Sequence, residues 1–173
     1  MSLFREYDIR GIAESQLTNE FCFALGRVLG KIIASKGSSR VTIGRDVRLS
    51  SQRIAGYLAK GFQSADIQCR LLVQGPTPLV YFECASPEDS WPCQSGVMVT
   101  GSHNPSEYNG FKMVMEGKPF FGEDIQKLVP LVENELARLD PSIDFSQTAV
   151  EFAEYNSLDR YVDFFLDHVK IGS

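Results

Sequence analysis

Short apolar runs alternate with longer amphipathic stretches along most of the chain. The short runs are bounded by glycine, proline or charged turns, as is typical of strands. The longer stretches repeat apolar residues at three- and four-residue spacing, which predicts helices. Strands are predicted over 41–43, 67–73, 96–99 and 110–114. Helices are predicted over 18–36, 123–139 and 158–169, and two more are predicted between them, one that begins at about 50 and a short one that ends near 85.

This alternation predicts a layered α/β domain with a mixed sheet. The strands on either side of segment 100–109 are too close in sequence for a helical crossover, so they are either antiparallel neighbours or splayed apart. The opening segment 4–12 has neither period, and we expect it to be extended and to run into a turn at Gly11. Thr18 is the expected cap of the first helix, and Ser50 or Ser51 that of the second.

The C-terminal region predicts a second structural unit. Residues 140–152 carry little regular signal and are interpreted as a linker, and the helix after them has little left to pack against. We therefore divide the chain into a domain over 1–140 and, over 141–173, a linker with the first helix of a missing second domain. A helix docked back on the first domain is the alternative.

Charge and composition exclude several classes of function. The chain has 22 acidic and 17 basic side chains, a balance that is not typical of a nucleic-acid-binding surface. No run of about 18 apolar residues is present, and charges occupy the positions where a signal peptide needs an apolar core. The four cysteines lack metal-site spacing and are interpreted as buried thiols. We expect a cytoplasmic globular protein that binds neither nucleic acid nor membrane.

The segment TGSHNP at 100–105 is the best candidate for chemistry. It directly follows a predicted strand, and the ligands of α/β sheets usually bind at strand ends. Ser102 lies between Gly101 and His103, so its hydroxyl can be exposed and the nearby backbone amides can face an anion. An ordinary solvated turn is the structural alternative.

Ser102 does not belong to a P-loop or a hydrolase motif. The lysine that a P-loop needs is missing after Gly101, and Asn104 stands where G-x-S-x-G needs its second glycine. The only histidine near the serine is His103, since His168 lies on the last predicted helix. Neighbouring side chains of an extended chain point apart, so we do not expect a direct Ser102–His103 pair, and a serine hydrolase is the weakest hypothesis.

Three motifs carry a resemblance to a known family. TGSHNP, followed by YNGFK at 108–112, resembles the phosphoserine loop of the α-D-phosphohexomutases. FREYDIRG at 4–11 and GRDVR at 44–48 resemble two further motifs of that family, and the first is similar to its bacterial phosphomannomutase/phosphoglucomutase branch. The resemblance spans the chain but only the first of the family's four domains. It implies a three-layer α/β/α domain with a mixed, mostly parallel sheet.

The resemblance implies an isomerase that interconverts hexose 1-phosphate and hexose 6-phosphate. In family members a phosphoserine gives its phosphoryl group to one sugar hydroxyl, which forms a bisphosphate, and is rephosphorylated from the other position. Ser102 would be this carrier, and its phosphate would supply one oxygen ligand to Mg²⁺, which neutralises the spreading charge. Glucose 1,6-bisphosphate or a similar compound would activate the full enzyme.

The resemblance also assigns roles to residues around this serine. Lys112 is a candidate general acid/base or charge stabiliser, and His103 is a catalytic candidate that suits loop shaping better than proton transfer. If its strand is regular, Lys112 shares one face with Val114, and Phe111 and Met113 share the other. Arginines 45 and 48 would hold the loop or the sugar phosphate. The candidates for substrate binding are Tyr7, Arg10, Arg45, Arg48 and Asn104.

Several parts of the family's active site have no counterpart in the sequence. The metal-binding DGDGDR-type loop and the sugar-recognition and phosphate-binding loops belong to the family's later domains. One phosphoserine oxygen cannot hold octahedral Mg²⁺ tightly, so we expect the chain to act with the remaining mutase domains and to be inactive alone. A non-catalytic anion- or partner-binding domain and a phosphoglucosamine mutase domain are the alternatives.

Overall fold

The computed structural model describes residues 3–147 and 152–169, in which strands and helices alternate. The strands are β1 (Ile9–Ile12), β2 (Arg40–Arg45), β3 (Gln68–Leu72), β4 (Gly96–Val99), β5 (Tyr108–Met115), β6 (Lys118–Phe120) and β7 (Glu154–Tyr155). The helices are α1 (Asn19–Ser35), α2 (Leu49–Gln63), α3 (Thr77–Ala85), α4 (Glu123–Leu136) and α5 (Leu158–His168).

One mixed sheet runs through the domain in the order β1-β5-β4-β2-β3-β7, with β6 paired to β5. β2 is parallel to β3 and β4, and β3 is parallel to β7, whereas β5 is antiparallel to β1, β4 and β6. The predicted mixed sheet is confirmed, and the strands around segment 100–107 are antiparallel neighbours. Because β2 and β4 are parallel, their carboxyl ends lie together, and the segments that follow them meet at one edge of the sheet.

Two apolar clusters, one on each face of the sheet, create the three layers. The larger cluster contains most of the buried apolar side chains of α1, α2 and α4, and the smaller one contains Leu79, Val80 and Cys84 of α3. β5 shows the division, because Phe111 and Met113 belong to the larger cluster and Val114 to the smaller one. Lys112 shares the face of Val114, as the alternation of strand side chains predicts.

Two glycines allow α1 and α2 to approach closely. A Cβ at Gly26 would lie 2.1 Å from the backbone oxygen of Leu58, and a Cβ at Gly61 would lie 2.1 Å from that of Phe23. Any larger residue would push the helices apart. This close packing fixes α2 against the sheet, and α2 begins immediately after the segment that follows β2.

The structure corrects several predicted boundaries. β2 runs two residues further than predicted, to Arg45, and β5 begins earlier, at Tyr108. The predicted serine caps of α2 are wrong, because Arg48 occupies the N-cap position without a side-chain cap. Ser51 instead donates its hydroxyl to the carboxylate of Asp46. The strands β6 and β7 are too short for periodicity to reveal them.

The chain after α4 returns to the sheet. The ring of Phe145 packs against those of Phe23 and Tyr57, at centroid distances of 5.5 and 5.8 Å, and β7 pairs with β3. Arg160 at the start of α5 donates to Glu83 of α3 at 2.6 Å, whereas the later apolar side chains of α5 are exposed. The division of the chain at 140 stays a prediction, and residues 148–151 of the predicted linker lie outside the described residues.

The described residues also bear on membrane and thiol chemistry. Across 3–147 and 152–169, no helix is long and apolar enough to cross a membrane. The four cysteines are free, and three of them are buried. Burial raises the pKa of Cys22 to about 12, so this thiol packs as a small apolar group rather than reacting as a thiolate.

Candidate functional site

The loop between β4 and β5 holds Ser102 at the protein surface. Ser102 has a φ of 53°, a left-handed conformation that costs a non-glycine residue about 1 kcal/mol. Its N–H donates to the hydroxyl of Thr100 at 2.9 Å, and the N–H of Thr100 donates to the carbonyl of Gly110 on β5 at 3.0 Å. The strained turn is therefore anchored at the end of β4, while the serine side chain is exposed.

The guanidinium of Arg48 donates hydrogen bonds to four main-chain carbonyl oxygens in and next to this loop. Its Nη1 donates to the carbonyls of Pro105 at 2.6 Å and Tyr108 at 3.0 Å. Its Nη2 donates to those of Asn104 at 2.6 Å and Ser102 at 3.2 Å. A planar group with five donors can hold several acceptors in one fixed arrangement. The structure thus places Arg48 beneath the loop, which is the first of the two roles predicted for it.

Gly101 joins the loop to the side chains below it. Its carbonyl accepts hydrogen bonds from Arg10 Nη1 at 2.7 Å and from Asn104 Nδ2 at 3.1 Å. Its N–H donates to the carboxylate of Asp46 at 3.0 Å. A Cβ at this position would lie 2.1 Å from Nε of Arg48, so only glycine leaves room for the guanidinium.

The carboxylate of Asp46 connects the loop to the start of α2. It accepts hydrogen bonds from the N–H groups of Arg48 at 3.1 Å and Gly101 at 3.0 Å, and from the hydroxyl of Ser51. Burial acts to raise the pKa of Asp46, but the hydrogen bonds from Ser51 and the two backbone amides outweigh it, and the pKa lies below its ordinary value. The fold therefore favours the ionised form.

The substitution Asp46→Asn should remove part of the acid sensitivity of the fold. Since folding lowers the pKa of Asp46, its carboxylate contributes stability above its unfolded-state pKa of about 3.9, and this contribution is lost as the pH falls through the folded value. We expect the free energy of unfolding to fall less between about pH 5 and about pH 2 in the variant than in the wild type. Urea unfolding at both pH values measures the difference, and equal losses would contradict the prediction.

A buried charge pair lies on the β1 side of the loop. Arg10 is 5% exposed and forms an ion pair with Asp8. Oδ2 of Asp8 also lies 3.6 Å from Nζ of Lys112, whose side chain is 28% exposed. The structure therefore brings together two predicted site residues, Arg10 and Lys112, through a shared carboxylate. Because Arg10 is buried and bonded to Gly101, it supports the loop from within.

The expectation that Ser102 and His103 point apart is wrong. Oγ of Ser102 lies 3.3 Å from Nδ1 of His103. The expectation assumed an extended chain, whereas the positive φ of Ser102 bends the backbone and brings consecutive side chains together. Among residues 3–147 and 152–169, no carboxylate contacts His103, so they form no Ser-His-Asp arrangement around this histidine.

Two predicted site residues lie apart from this group. Tyr7 is 65% exposed and stacks on Phe121 with ring centroids 6.1 Å apart. Arg45, at the end of β2, forms an ion pair with Glu154 of β7. Within the described part of the chain, neither side chain forms a hydrogen bond or ion pair with the loop. Their contact with a substrate stays a prediction.

An open cavity of about 470 Å³ adjoins Ser102. Its lining includes Asp46 and Arg48 on one side, Thr77 at the start of α3, and Met98 of β4. A larger cavity of about 650 Å³ lies at the opposite end of the strands and is lined by none of these residues. The smaller cavity is therefore the candidate site for a ligand of Ser102.

Comparison with known proteins decides the family. Residues 1–138 match the family model described as phosphoglucomutase/phosphomannomutase, alpha/beta/alpha domain I. The chain belongs to the phosphoglucomutase/phosphomannomutase family. The match runs from β1 to the end of α4 and contains the whole Ser102 loop, and it confirms both the resemblance and the three-layer fold.

Several curated members of the family are similar in sequence to most of this chain. A phosphomannomutase/phosphoglucomutase of Pseudomonas putida is 36% identical over 171 residues, which are 99% of this chain and 34% of the relative. A phosphoglucomutase of Neisseria meningitidis serogroup B is 39% identical over 137 residues, which are 77% of this chain and 28% of the relative.

A solved structure agrees with these relatives. The crystal structure of a phosphoglucomutase/phosphomannomutase family protein from Burkholderia thailandensis is 32% identical and has a TM-score of 0.84, over 99% of this chain and 36% of that one. The chain therefore spans about a third of the length of the relatives that it matches.

The part of the mutase fold described here does not form a metal centre of its own. Within it, no group of three or more His, Cys, Asp or Glu side chains could hold an ion. Two carboxylates that support the loop, Asp46 and Asp8, are already engaged by amides and by the arginines. Octahedral Mg²⁺ needs several oxygen ligands, so the two aspartates do not form a complete site. The ligand that this chain could contribute is a phosphate oxygen on Ser102.

Asn109, at the start of β5, is a supporting residue that was not predicted from the sequence. Asn109 is fully buried, and its Nδ2 donates to the hydroxyls of Ser50 and Ser51 at 2.9 Å each, which ties β5 to the start of α2. The sequence hides this role, because Asn109 lies in a segment that was predicted as a turn and is part of β5 in the structure. The role of Asp46 was missed too, although its position within the GRDVR motif marks it as a candidate.

Proposed function

We propose that this chain is the phosphoserine domain of a phosphomannomutase/phosphoglucomutase, an isomerase that interconverts hexose 1-phosphate and hexose 6-phosphate. One observation carries the proposal. The Ser102 hydroxyl is exposed beside a cavity, on a loop that the buried Arg10 and the partly buried Arg48 hold from beneath. A residue that must exchange a phosphoryl group with a diffusing sugar needs this combination of exposure and fixed position.

The phosphoryl group moves in two steps in this proposal. A sugar hydroxyl oxygen attacks the phosphorus of phosphorylated Ser102, so that a P–O bond to the sugar forms while the bond to Oγ breaks. The proton of the sugar hydroxyl is released and the serine oxygen gains one. The resulting bisphosphate then returns its other phosphoryl group to Ser102, so the number of phosphoryl groups is conserved.

Two side chains are proposed to assist this transfer. His103 Nδ1, 3.3 Å from Oγ, is close enough to give the serine its proton and to take it back. The Lys112 ammonium, 3.6 Å from Asp8 and partly exposed, would supply positive charge for the transfer. Bound Mg²⁺, held mainly by other parts of the enzyme, would neutralise charge on the phosphoryl oxygens.

Glucose and mannose phosphates are the proposed substrates, since the relatives are named phosphoglucomutase and phosphomannomutase. Glucose 1,6-bisphosphate would first load Ser102 with its phosphate. In the family, the loop that distinguishes these sugars from glucosamine phosphate belongs to a later domain. Glucosamine 1-phosphate is therefore included among the test compounds. Tyr7 and Arg45 are proposed to contact the substrate when the enzyme closes around it.

A chimera tests the proposal. Residues 1–138 of this chain replace the matching segment of the Pseudomonas putida relative, and conversion of each hexose 1-phosphate is followed with Mg²⁺ and glucose 1,6-bisphosphate present. Turnover of glucose or mannose 1-phosphate supports the proposal, whereas turnover of glucosamine 1-phosphate alone would reassign the substrate. A folded chimera that turns over none of them, beside an active parent enzyme, would favour a non-catalytic anion-binding domain.

A further inference from the structure

We infer that Asp46 and Arg48 act as one positioning pair, which turns backbone amides of the loop outward to receive the phosphoryl group on Ser102. The inference rests on the proposed function, because it assigns the groups that bind the phosphate carried by that serine. Arg48 acts here on the loop, which is the alternative to its predicted contact with the sugar phosphate. The donors are the main-chain N–H groups of His103 and Ser106.

Peptide geometry makes the step from Arg48 to these amides. A trans peptide unit is planar, with its C=O and N–H pointing in opposite directions. The carbonyls of Ser102 and Pro105 point toward the guanidinium of Arg48, at 3.2 and 2.6 Å. The N–H groups of the residues that follow them, His103 and Ser106, must therefore point away from Arg48.

Both amides are available to a ligand. Within residues 3–147 and 152–169, the N–H groups of His103 and Ser106 have no hydrogen-bond acceptor. Ser106 and Ser102 line the same cavity. A left-handed residue turns the N–H groups beside it toward one concave side, which favours an anion, and the positive φ of Ser102 provides this conformation directly before the N–H of His103.

Asp46 holds both Arg48 and Gly101, the residue before Ser102, in position. Its carboxylate binds the N–H of Arg48 at 3.1 Å and the N–H of Gly101 at 3.0 Å, and it lies 3.4 Å from Nε of Arg48. It therefore holds the guanidinium beneath the loop and the residue before Ser102 in place. Because Asp46 also offsets the charge of Arg48, the pair acts on the phosphate through geometry rather than through net charge.

The pKa of the phosphate on Ser102 tests whether Asp46 acts through geometry or through charge, because the two explanations predict shifts of this pKa in opposite directions when Asp46 is replaced. The 173-residue chain is produced with phosphoserine incorporated at position 102, and its second phosphate pKa is measured by phosphorus NMR. Donated N–H bonds favour the dianion, so we expect a pKa below the value of about 6 that is typical of free phosphoserine. Arg48→Lys keeps the charge but cannot hold four carbonyls, and should raise this pKa by about half a unit or more.

Asp46→Asn separates the two explanations. Removing a negative charge near the phosphate would by itself lower the phosphate pKa. If Asp46 acts by positioning, its loss releases Arg48 and Gly101, and the pKa rises as it does in Arg48→Lys. The matched control is Arg53→Lys, since Arg53 holds the carbonyls of Ala13 and Leu17 at 2.8 and 3.1 Å on another part of the chain. This control should leave the phosphate pKa unchanged.

Each outcome decides the inference. A raised pKa in Arg48→Lys and Asp46→Asn, with no change in Arg53→Lys, supports it. A lowered pKa in Asp46→Asn, an unchanged one in Arg48→Lys, or an equal rise in the control overturns it. If one of the two variants fails to fold by its amide NMR spectrum, the pKa of the other decides, and Ser51→Ala should show a smaller rise. Because no substrate is used, an inactive chimera with this pKa pattern would refute the mutase proposal alone.

Discussion

Replacing Ser102 by alanine is expected to lower the kcat of the chimera by about a thousandfold or more, with little change in KM for glucose 1-phosphate. Without the Oγ atom there is no bond through which the protein can carry a phosphoryl group, whereas the surrounding charges still bind the sugar phosphate. Turnover is measured by coupling the glucose 6-phosphate formed to a dehydrogenase. The expected pattern is therefore a loss in kcat rather than in binding.

Ser106→Ala is the matched control for this substitution. Ser106 is also an exposed serine of the loop and lines the same cavity, but its main-chain N–H survives the substitution. We expect its kcat to stay within about threefold of the unsubstituted chimera, as is usual for an exposed hydroxyl that takes no part in the reaction. Equal losses in the two variants would show that the loop, and not the Ser102 hydroxyl, carries the effect.

Gly101→Ala is expected to lower the kcat of the chimera by about a hundredfold, because a displacement of about 1 Å is enough to misalign a phosphoryl transfer. The new Cβ would lie 2.1 Å from Nε and 2.2 Å from Cζ of Arg48, so the guanidinium or the loop has to move. The hydrogen bonds from Arg48 to the loop carbonyls would then weaken. We expect a loss of about 1–3 kcal/mol in the free energy of unfolding as well.

Gly37→Ala separates the effect on stability from the effect on transfer. Gly37 follows α1, has a φ of 79°, and has open space around the position of a Cβ. Alanine there should destabilise the fold by about 1 kcal/mol through backbone strain, with kcat unchanged. If Gly101→Ala matched this control in kcat, the close approach of Arg48 to the loop would have no catalytic importance.

Most of the fold could be predicted because burial leaves a regular spacing in the sequence. α1 shows this best, since Thr18 accepts a hydrogen bond from the N–H of Phe21 as an N-cap should, and the chain leaves the helix through Gly37 with a positive φ. The errors lie where a side chain takes a partner that the helical period does not indicate. Ser50 and Ser51, which lie in the first turn of α2, were predicted as caps because the sequence does not show that Asp46 accepts the hydroxyl of Ser51.

The sequence indicates where the candidate site lies and offers Arg48 as a support of its loop, but it does not show the contacts that hold the loop. The TGSHNP motif identifies Ser102, whereas nothing in the sequence shows that four loop carbonyls converge on Arg48 or that Arg10 is buried beneath Gly101. The positive φ lies at Ser102 itself, where a glycine would have been the natural expectation. This is why the Ser102–His103 contact was not predicted.

The position of the phosphate in the working chimera tests the central claim most directly. The chimera is incubated with glucose 1,6-bisphosphate, quenched and digested, and the phosphorylated peptide is located by mass spectrometry. The account predicts a phosphate on Ser102, which is lost when unlabelled glucose 6-phosphate is added and is absent from Ser102→Ala. A phosphate on another residue of this chain, or turnover that persists while Ser102 is replaced by alanine, would contradict it.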